Sequence, residues 1–218
     1  MSRSEENEQT IGKEQLQPAD IIISAANSFT SKIIRTATIS YVSHASLYYG
    51  NGHIIESIGD GVSFRSFEVF LAEDTYAAAY RSPEMTPDKA NEIVTYAKSK
   101  ADAKAEYLYI GDVLANTSLC DKATESNKFF CSQLVIESYQ QAGLLKSLIP
   151  SCITPEDIAR IVKKSFNFVG TLKGTPSTTA AAIGLAIAME APRLYPRLFR
   201  EIKNGGGPLT KQVGAVTQ

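Results

Sequence analysis

The chain has 218 residues, enough for one domain with a well-buried core and tails. Hydrophobic residues make up 44%, charged residues 21%, and the formal net charge is -1. This is a globular composition with no overall basic excess to favour a nucleic-acid partner. Two local imbalances stand at the ends, acidic over residues 1–20 and basic over residues 191–218.

Residues 1–15 read as a flexible N-terminal arm, polar and acidic and without the apolar segment of a secretory signal peptide. The β-branched run Asp20-Ile21-Ile22-Ile23-Ser24 predicts a buried strand. Phe29, Ile33, Ile34 and Ala37 fall at helical spacing and predict a helix over 28–38. Ala45 to Tyr49 and His53 to Ser57, on either side of Gly50-Asn51-Gly52, predict a β-hairpin. Gly59-Asp60-Gly61 marks a further turn, and Thr75 to Arg81 a third sheet strand.

Thr86-Pro87-Asp88 opens a helix, with Thr86 as N-cap and Pro87 at the first position. Residues 102–128 read mainly as loop, with Tyr107 to Ile110 as their most apolar stretch. A helix follows Cys131 and stops at Gly143. Another is capped by Thr154, and residues 165–172 form a closing strand. Residues 173–218 differ in character: a linker-like Gly174-Thr175-Pro176-Ser177, an apolar stretch from Ala180 to Met189, then a basic amphipathic segment to Asn204. The apolar stretch is shorter than the roughly 20 residues a membrane-spanning helix needs. Residues 180–204 offer at most a peripheral membrane contact.

There are three cysteines, Cys120, Cys131 and Cys152, an odd and sparse count that does not describe a disulfide framework. No Cys-x-x-Cys or His-x-x-x-His pair suggests a structural zinc site, and no cofactor or metal is expected. Cys120 and Cys152 read as small buried side chains. Cys131 stands apart, because a cysteine in the first turn of a helix is electrostatically primed as a thiolate, the nucleophilic form.

Nucleophilic cysteine catalysis also needs a base and a group to orient it. His44, at the mouth of the first hairpin strand, is the candidate base. His53 abuts the turn and is expected to be exposed. Glu56 is the candidate orienter, with Asp60 its rival. Strand side chains alternate between faces, so Glu56 shares the His44 face only in an even hairpin register. A three-residue Gly50-Asn51-Gly52 loop supplies that register; a two-residue Asn51-Gly52 turn reverses it.

The stretch SHASLYYGNGHIIESIGDGV, followed by KFFCSQLVIESYQQAG and then TPEDIAR, resembles the circularly permuted branch of the NlpC-type papain-like superfamily, the YiiX/YaeF-like group. PADIIISAANSFTSKIIRTATIS is similar to that group's opening, with Ala-Asp where Gly-Asp is usual. The resemblance spans roughly residues 18–165. It implies an α+β, papain-like NlpC-type fold, circularly permuted, with an antiparallel sheet or barrel packed against helices. The catalytic domain would cover 16–172, with 173–218 as an extension.

The resemblance further implies Cys131 as nucleophile, His44 as base and Glu56 as the third member. The backbone N–H of Cys131, at a helix start, would serve the oxyanion; Tyr48, on the His44 face, and Ser132 are additional binding candidates. The activity so implied is a cysteine peptidase or amidase acting on cell-wall peptides. Without a signal peptide such an enzyme is expected to be made in the cytoplasm and delivered by a dedicated secretion machine, as an antibacterial type VI effector with an immunity partner. Lipid-ester hydrolysis or acyl transfer on the same fold, and a non-catalytic binding module, are the alternatives.

Overall fold

The computed structural model describes residues 10–26, 41–108 and 127–175. Its centre is a six-stranded sheet of β1 (Ile21–Ala26), β2 (His44–Gly50), β3 (His53–Ile58), β4 (Gly61–Ser66), β5 (Asp74–Arg81) and β8 (Asn167–Lys173). The order is β4-β3-β2-β1-β5-β8, and every neighbouring pair is antiparallel. The sheet is open, with β4 and β8 at its edges, so of the two expected forms the barrel is not the one formed. Two short strands, β6 (Glu106–Tyr107) and β7 (Lys128–Phe129), pair in parallel beside it.

Among the described residues the α-helices are α1 (Phe67–Glu73), α2 (Pro87–Asp102), α3 (Cys131–Gln141) and α4 (Pro155–Ser165). Each expected helix signal within the described residues works as its chemistry requires. Thr86 accepts from the Lys89 N–H at the start of α2. Thr154 and Asp157 form a reciprocal capping box at the start of α4. Gly143, at φ 75, ends α3 as Leu144 N–H bonds to Tyr139 O and Gly143 N–H to Gln140 O, the paired bonds of a Schellman stop. The expected helix over 28–38 lies outside the described residues, as does most of 102–128.

Strand alternation divides the core into two layers. On one face Ile23, Leu47, Ile55 and Tyr80 pack against Ile93 of α2, Leu134 and Tyr139 of α3 and Val162 of α4. On the other, Ile22, Tyr48, Ile54, Ala77 and Ala79 pack against Phe67 and Phe70 of α1 and against Ile11 and Leu16. Central β1 is buried on both faces, which is why it reads as an unbroken apolar run rather than an alternating one. Residues 10–15 of the expected arm are therefore partly structural. Ile11 is buried and donates its N–H to Thr171 O at 2.8 Å, along the β8 edge. Apolar Ile11 has a place in the second layer, and this outweighs the polarity of its neighbours.

The short strands β6 and β7, in and beside the expected loop, and two elements of the main layers have no counterpart in the sequence reading. β4 and α1 follow the Gly59-Asp60 turn, and α1 starts where the Ser66 hydroxyl accepts the Val69 N–H. Ala19, standing where the resemblance leads one to expect glycine, adopts φ 71. Its N–H donates to Tyr48 O, while Tyr139 donates its hydroxyl to Ala19 O. Fixed at both ends, the residue holds a left-handed conformation that a side chain normally resists.

Candidate active site

α3 begins without a side-chain cap, at Phe130. The N–H groups of its first turn are thus available to other partners. Two buried contacts seat this end of the helix. Ser57 donates to Phe129 O at 2.7 Å, and Ser132 donates to Ile153 O at 2.5 Å. Cys131, the first helical residue, is 4% exposed. Its sulfur accepts from the backbone N–H groups of Ser132 and Ala45 and is hydrogen-bonded to the His44 ring.

His44 opens β2, and its Nε2 lies 2.7 Å from Glu56 Oε2. With Nε2 so engaged, Nδ1 is the nitrogen left for the sulfur. The Glu56 carboxylate is 1% exposed, and its other oxygen accepts from Arg65 at 2.8 Å. Arg65 continues to Glu73, also at 2.8 Å.

The hairpin reaches the even register by a route other than the expected loop. Leu47 pairs with Ile55 and Tyr48 with Ile54, but Gly50 pairs with His53. Asn51 and Gly52, at φ 52 and 71, make a two-residue turn of the kind that needs positive φ at both positions. Alone this turn would send Glu56 to the wrong face. A β-bulge at Tyr49 adds one residue to one strand and restores the parity.

Burial opposes the charge on each member of the constellation, yet the neighbours prevail. Burial pushes the His44 imidazolium toward neutrality, but the Cys131 sulfur and the Glu56 carboxylate hold its pKa well above 6.5. Burial likewise raises the Cys131 thiol, and the His44 charge and the two backbone donors bring it below its ordinary value. Glu56 is lowered despite its burial by His44 and then Arg65. The arrangement suits a thiolate–imidazolium pair braced by a carboxylate.

Other sequence candidates fall elsewhere. Tyr48 does share the His44 face, but it stands four residue steps along the strand, roughly 13 Å away. Its hydroxyl accepts from the Gly52 N–H at 3.0 Å, and its ring packs on Phe67. It is a turn brace, not an oxyanion donor. Tyr48→Phe is expected to cost about 1 kcal/mol in urea unfolding, with kcat unchanged. The Ser132 side chain is fully buried on Ile153, so only its backbone faces the sulfur. Asp60 sits exposed in the β3–β4 turn, and His53 is exposed with Nδ1 against Asn51 O.

Cys131 is a free thiol, whereas Cys152 is disulfide-bonded instead of being the isolated thiol expected. An odd cysteine count leaves one thiol over; it does not forbid a pair. Cys120 lies outside the described residues. Among the described residues no group of three His, Cys, Asp or Glu is placed to hold a metal ion.

Arg65 has no signal of its own in the sequence, because β4, which carries it, has only a weak one. Ile58 pairs with Gly61, so Gly59-Asp60 is a two-residue turn, and Arg65 stands opposite Ile54, one diagonal step from Glu56. Reading that turn as two residues would have placed the arginine on the Glu56 face.

Residues 15–161, about two thirds of the chain, match the model of the permuted papain-like amidase family, YaeF/YiiX, C92. The chain belongs to this family. Membership makes it a cysteine peptidase or amidase with a permuted papain-like fold. A curated relative, "Probable lipoprotein peptidase YaeF" of Escherichia coli strain K12, is 24% identical over 185 residues, covering 72% of this chain and 68% of that protein. A solved structure described as the metalloprotein yiiX from Escherichia coli O157:H7 is 22% identical, with a TM-score of 0.47, over 59% of this chain and 67% of that one.

Proposed function

We propose that the protein hydrolyses amide bonds in cell-wall peptides, with Cys131 as nucleophile, His44 as acid and base, and Glu56 as the group that orients the ring. The observation that carries the catalytic part is the unbroken chain from the Cys131 sulfur through the His44 ring to the buried Glu56 carboxylate, 2.7 Å from Nε2. The thiolate attacks the amide carbonyl and its carbon–nitrogen bond breaks. His44 returns its proton to the leaving amine, and water, deprotonated by His44, then hydrolyses the thioester. The Cys131 N–H at the uncapped start of α3 is the available oxyanion donor.

The cell-wall substrate rests on the resemblance of the His44, Glu56 and Cys131 motifs to NlpC-type hydrolases; the relative named as a probable lipoprotein peptidase supports peptide-bond cleavage alone. The disulfide at Cys152 suits an oxidising compartment such as a bacterial periplasm. Action there on another cell, as a secreted effector opposed by an immunity protein, is the biological setting we favour.

The test is digestion of purified peptidoglycan by the full chain and by Cys131→Ala, with products separated by chromatography. Wild-type protein should release peptide fragments and the variant none. In parallel, wild-type protein directed to the periplasm of a bacterial host should arrest growth and the variant should not. Equal harmlessness of both proteins and the absence of any released fragment would sink the substrate assignment.

A further inference from the structure

Asp74 is a buried carboxylate that the proposed mechanism leaves unused. It is the first residue of β5 and is 7% exposed. The β1–β5 ladder pairs Ala25 with Tyr76 but Ala26 with Asp74, so Thr75 is an extra residue. Ala25 and Tyr76 belong to the layer packed on α2, α3 and α4. Ala26 and Asp74 therefore turn to the opposite face, that of His44 and Glu56.

Without the extra residue Thr75 would stand opposite Ala26, and Asp74 would point into the helix-side core. The Thr75 hydroxyl fixes the irregularity by donating to Ala25 O at 2.9 Å. Bulges commonly re-aim side chains beside active sites. Charged groups act on Asp74 from three strands, His44 of β2, Glu56 of β3 and Arg65 of β4, and Ser24 of β1, paired with His44, stands on the same face. Its neighbour Glu73, at the end of α1, is exposed and held by Arg65.

We propose that Asp74, turned onto the His44 face by the Thr75 bulge, is a positioning residue of the active site, a second buried carboxylate that stabilises the imidazolium through space and so adds a limb to the acid side of the reactivity profile. This rests on the assignment of Cys131 and His44 as the reacting pair. Ionised Asp74 places a negative charge toward the imidazolium and favours the thiolate–imidazolium form. Protonated Asp74 withdraws that support. Burial, more than the neighbouring Glu56, pushes the Asp74 pKa up to about 6, against the pull of His44, Ser24 and Arg65. The change of state thus falls just below neutrality.

The test is the pH dependence of Cys131 alkylation by iodoacetamide between about pH 4.5 and 8.5, in the full chain, with labelled sites identified by mass spectrometry. Wild-type protein should lose about threefold to tenfold in rate across a step centred near pH 6, the size expected of one charge acting across several ångströms of protein interior. Asp74→Asn should lack the step and follow the lower plateau. Asp74→Ser, a second neutral replacement, should lack the step as well. Should Asp74→Asn fail to fold, Asp74→Ser decides the matter alone.

A folded Asp74→Asn or Asp74→Ser protein with the wild-type profile overturns the role of Asp74 and leaves the reacting pair intact. A wild-type Cys131 that reacts as an ordinary thiol, gaining rate only toward about pH 8.5, overturns the pair itself and Asp74 with it.

Discussion

Replacing Cys131 by serine is expected to lower kcat/KM for amide hydrolysis by at least about 10⁴-fold, with the fold intact. Loss of a nucleophile in enzymes that use a covalent intermediate costs about 10⁶-fold where it has been dissected, and binding and oxyanion contacts sustain only a residual rate. Serine fits the space of the sulfur, yet a hydroxyl cannot be held ionised by His44 as the thiol is. The packing around the site supports the expectation that the fold survives, because Ser57 and Ser132 seat the start of α3 through Phe129 and Ile153, not through the sulfur. Steady-state hydrolysis and circular dichroism on the same preparation check both halves. A folded variant that retained activity within tenfold of wild type would remove Cys131 from the mechanism.

Glu56→Gln should be costly in two separate ways. Gln keeps the shape and can still contact the ring, but it cannot balance the imidazolium. Loss of the orienting carboxylate in a triad lowers kcat by as much as about 10⁴-fold, and a drop of about 10²- to 10⁴-fold is expected here. Breaking a buried ion pair by removing one partner costs about 3–5 kcal/mol. Arg65 retains Glu73, so the lower end of that range is expected.

The stability effect has a pH signature. The folded pKa of Glu56 lies below its ordinary value of 4.5. Its stabilising contribution is therefore complete above about pH 4.5 and is lost as pH falls through the folded pKa. Urea unfolding at neutral pH should separate wild type from variant, and the gap should narrow in acid. A gap that held constant down to strongly acidic pH would mean that the charge of Glu56 is not what stabilises the fold.

Much of this site was legible in the sequence because its residues sit on regular elements. Cys131 follows from a helix start, His44 from a strand start, and Glu56 from alternation along a hairpin. The exceptions share a physical cause. The bulges at Tyr49 and Thr75 are single-residue irregularities stabilised by tertiary context, and no local pattern announces them. Arg65 lies on a strand whose sequence, Gly61-Val62-Ser63-Phe64-Arg65-Ser66, is half polar and forms the sheet edge, so its apolar signal is weak. Tyr48 shares the His44 face, as alternation along the strand dictates, but facing the same side does not bring two groups within reach. The Cys152 disulfide depends on three-dimensional approach, which cysteine counting does not supply.

The bulge at Tyr49 also constrains how this hairpin can change over evolutionary time. Between Tyr48 and Ile54 the chain carries an odd number of residues, one of them spent on the bulge. Losing or gaining a single residue there would send Glu56 to the far side of the sheet unless a second irregularity arose at once. Losing or gaining two would leave it facing His44. Length variation in this loop among functional descendants should therefore come in steps of two, a surface segment whose freedom to drift is rationed by a carboxylate several residues away.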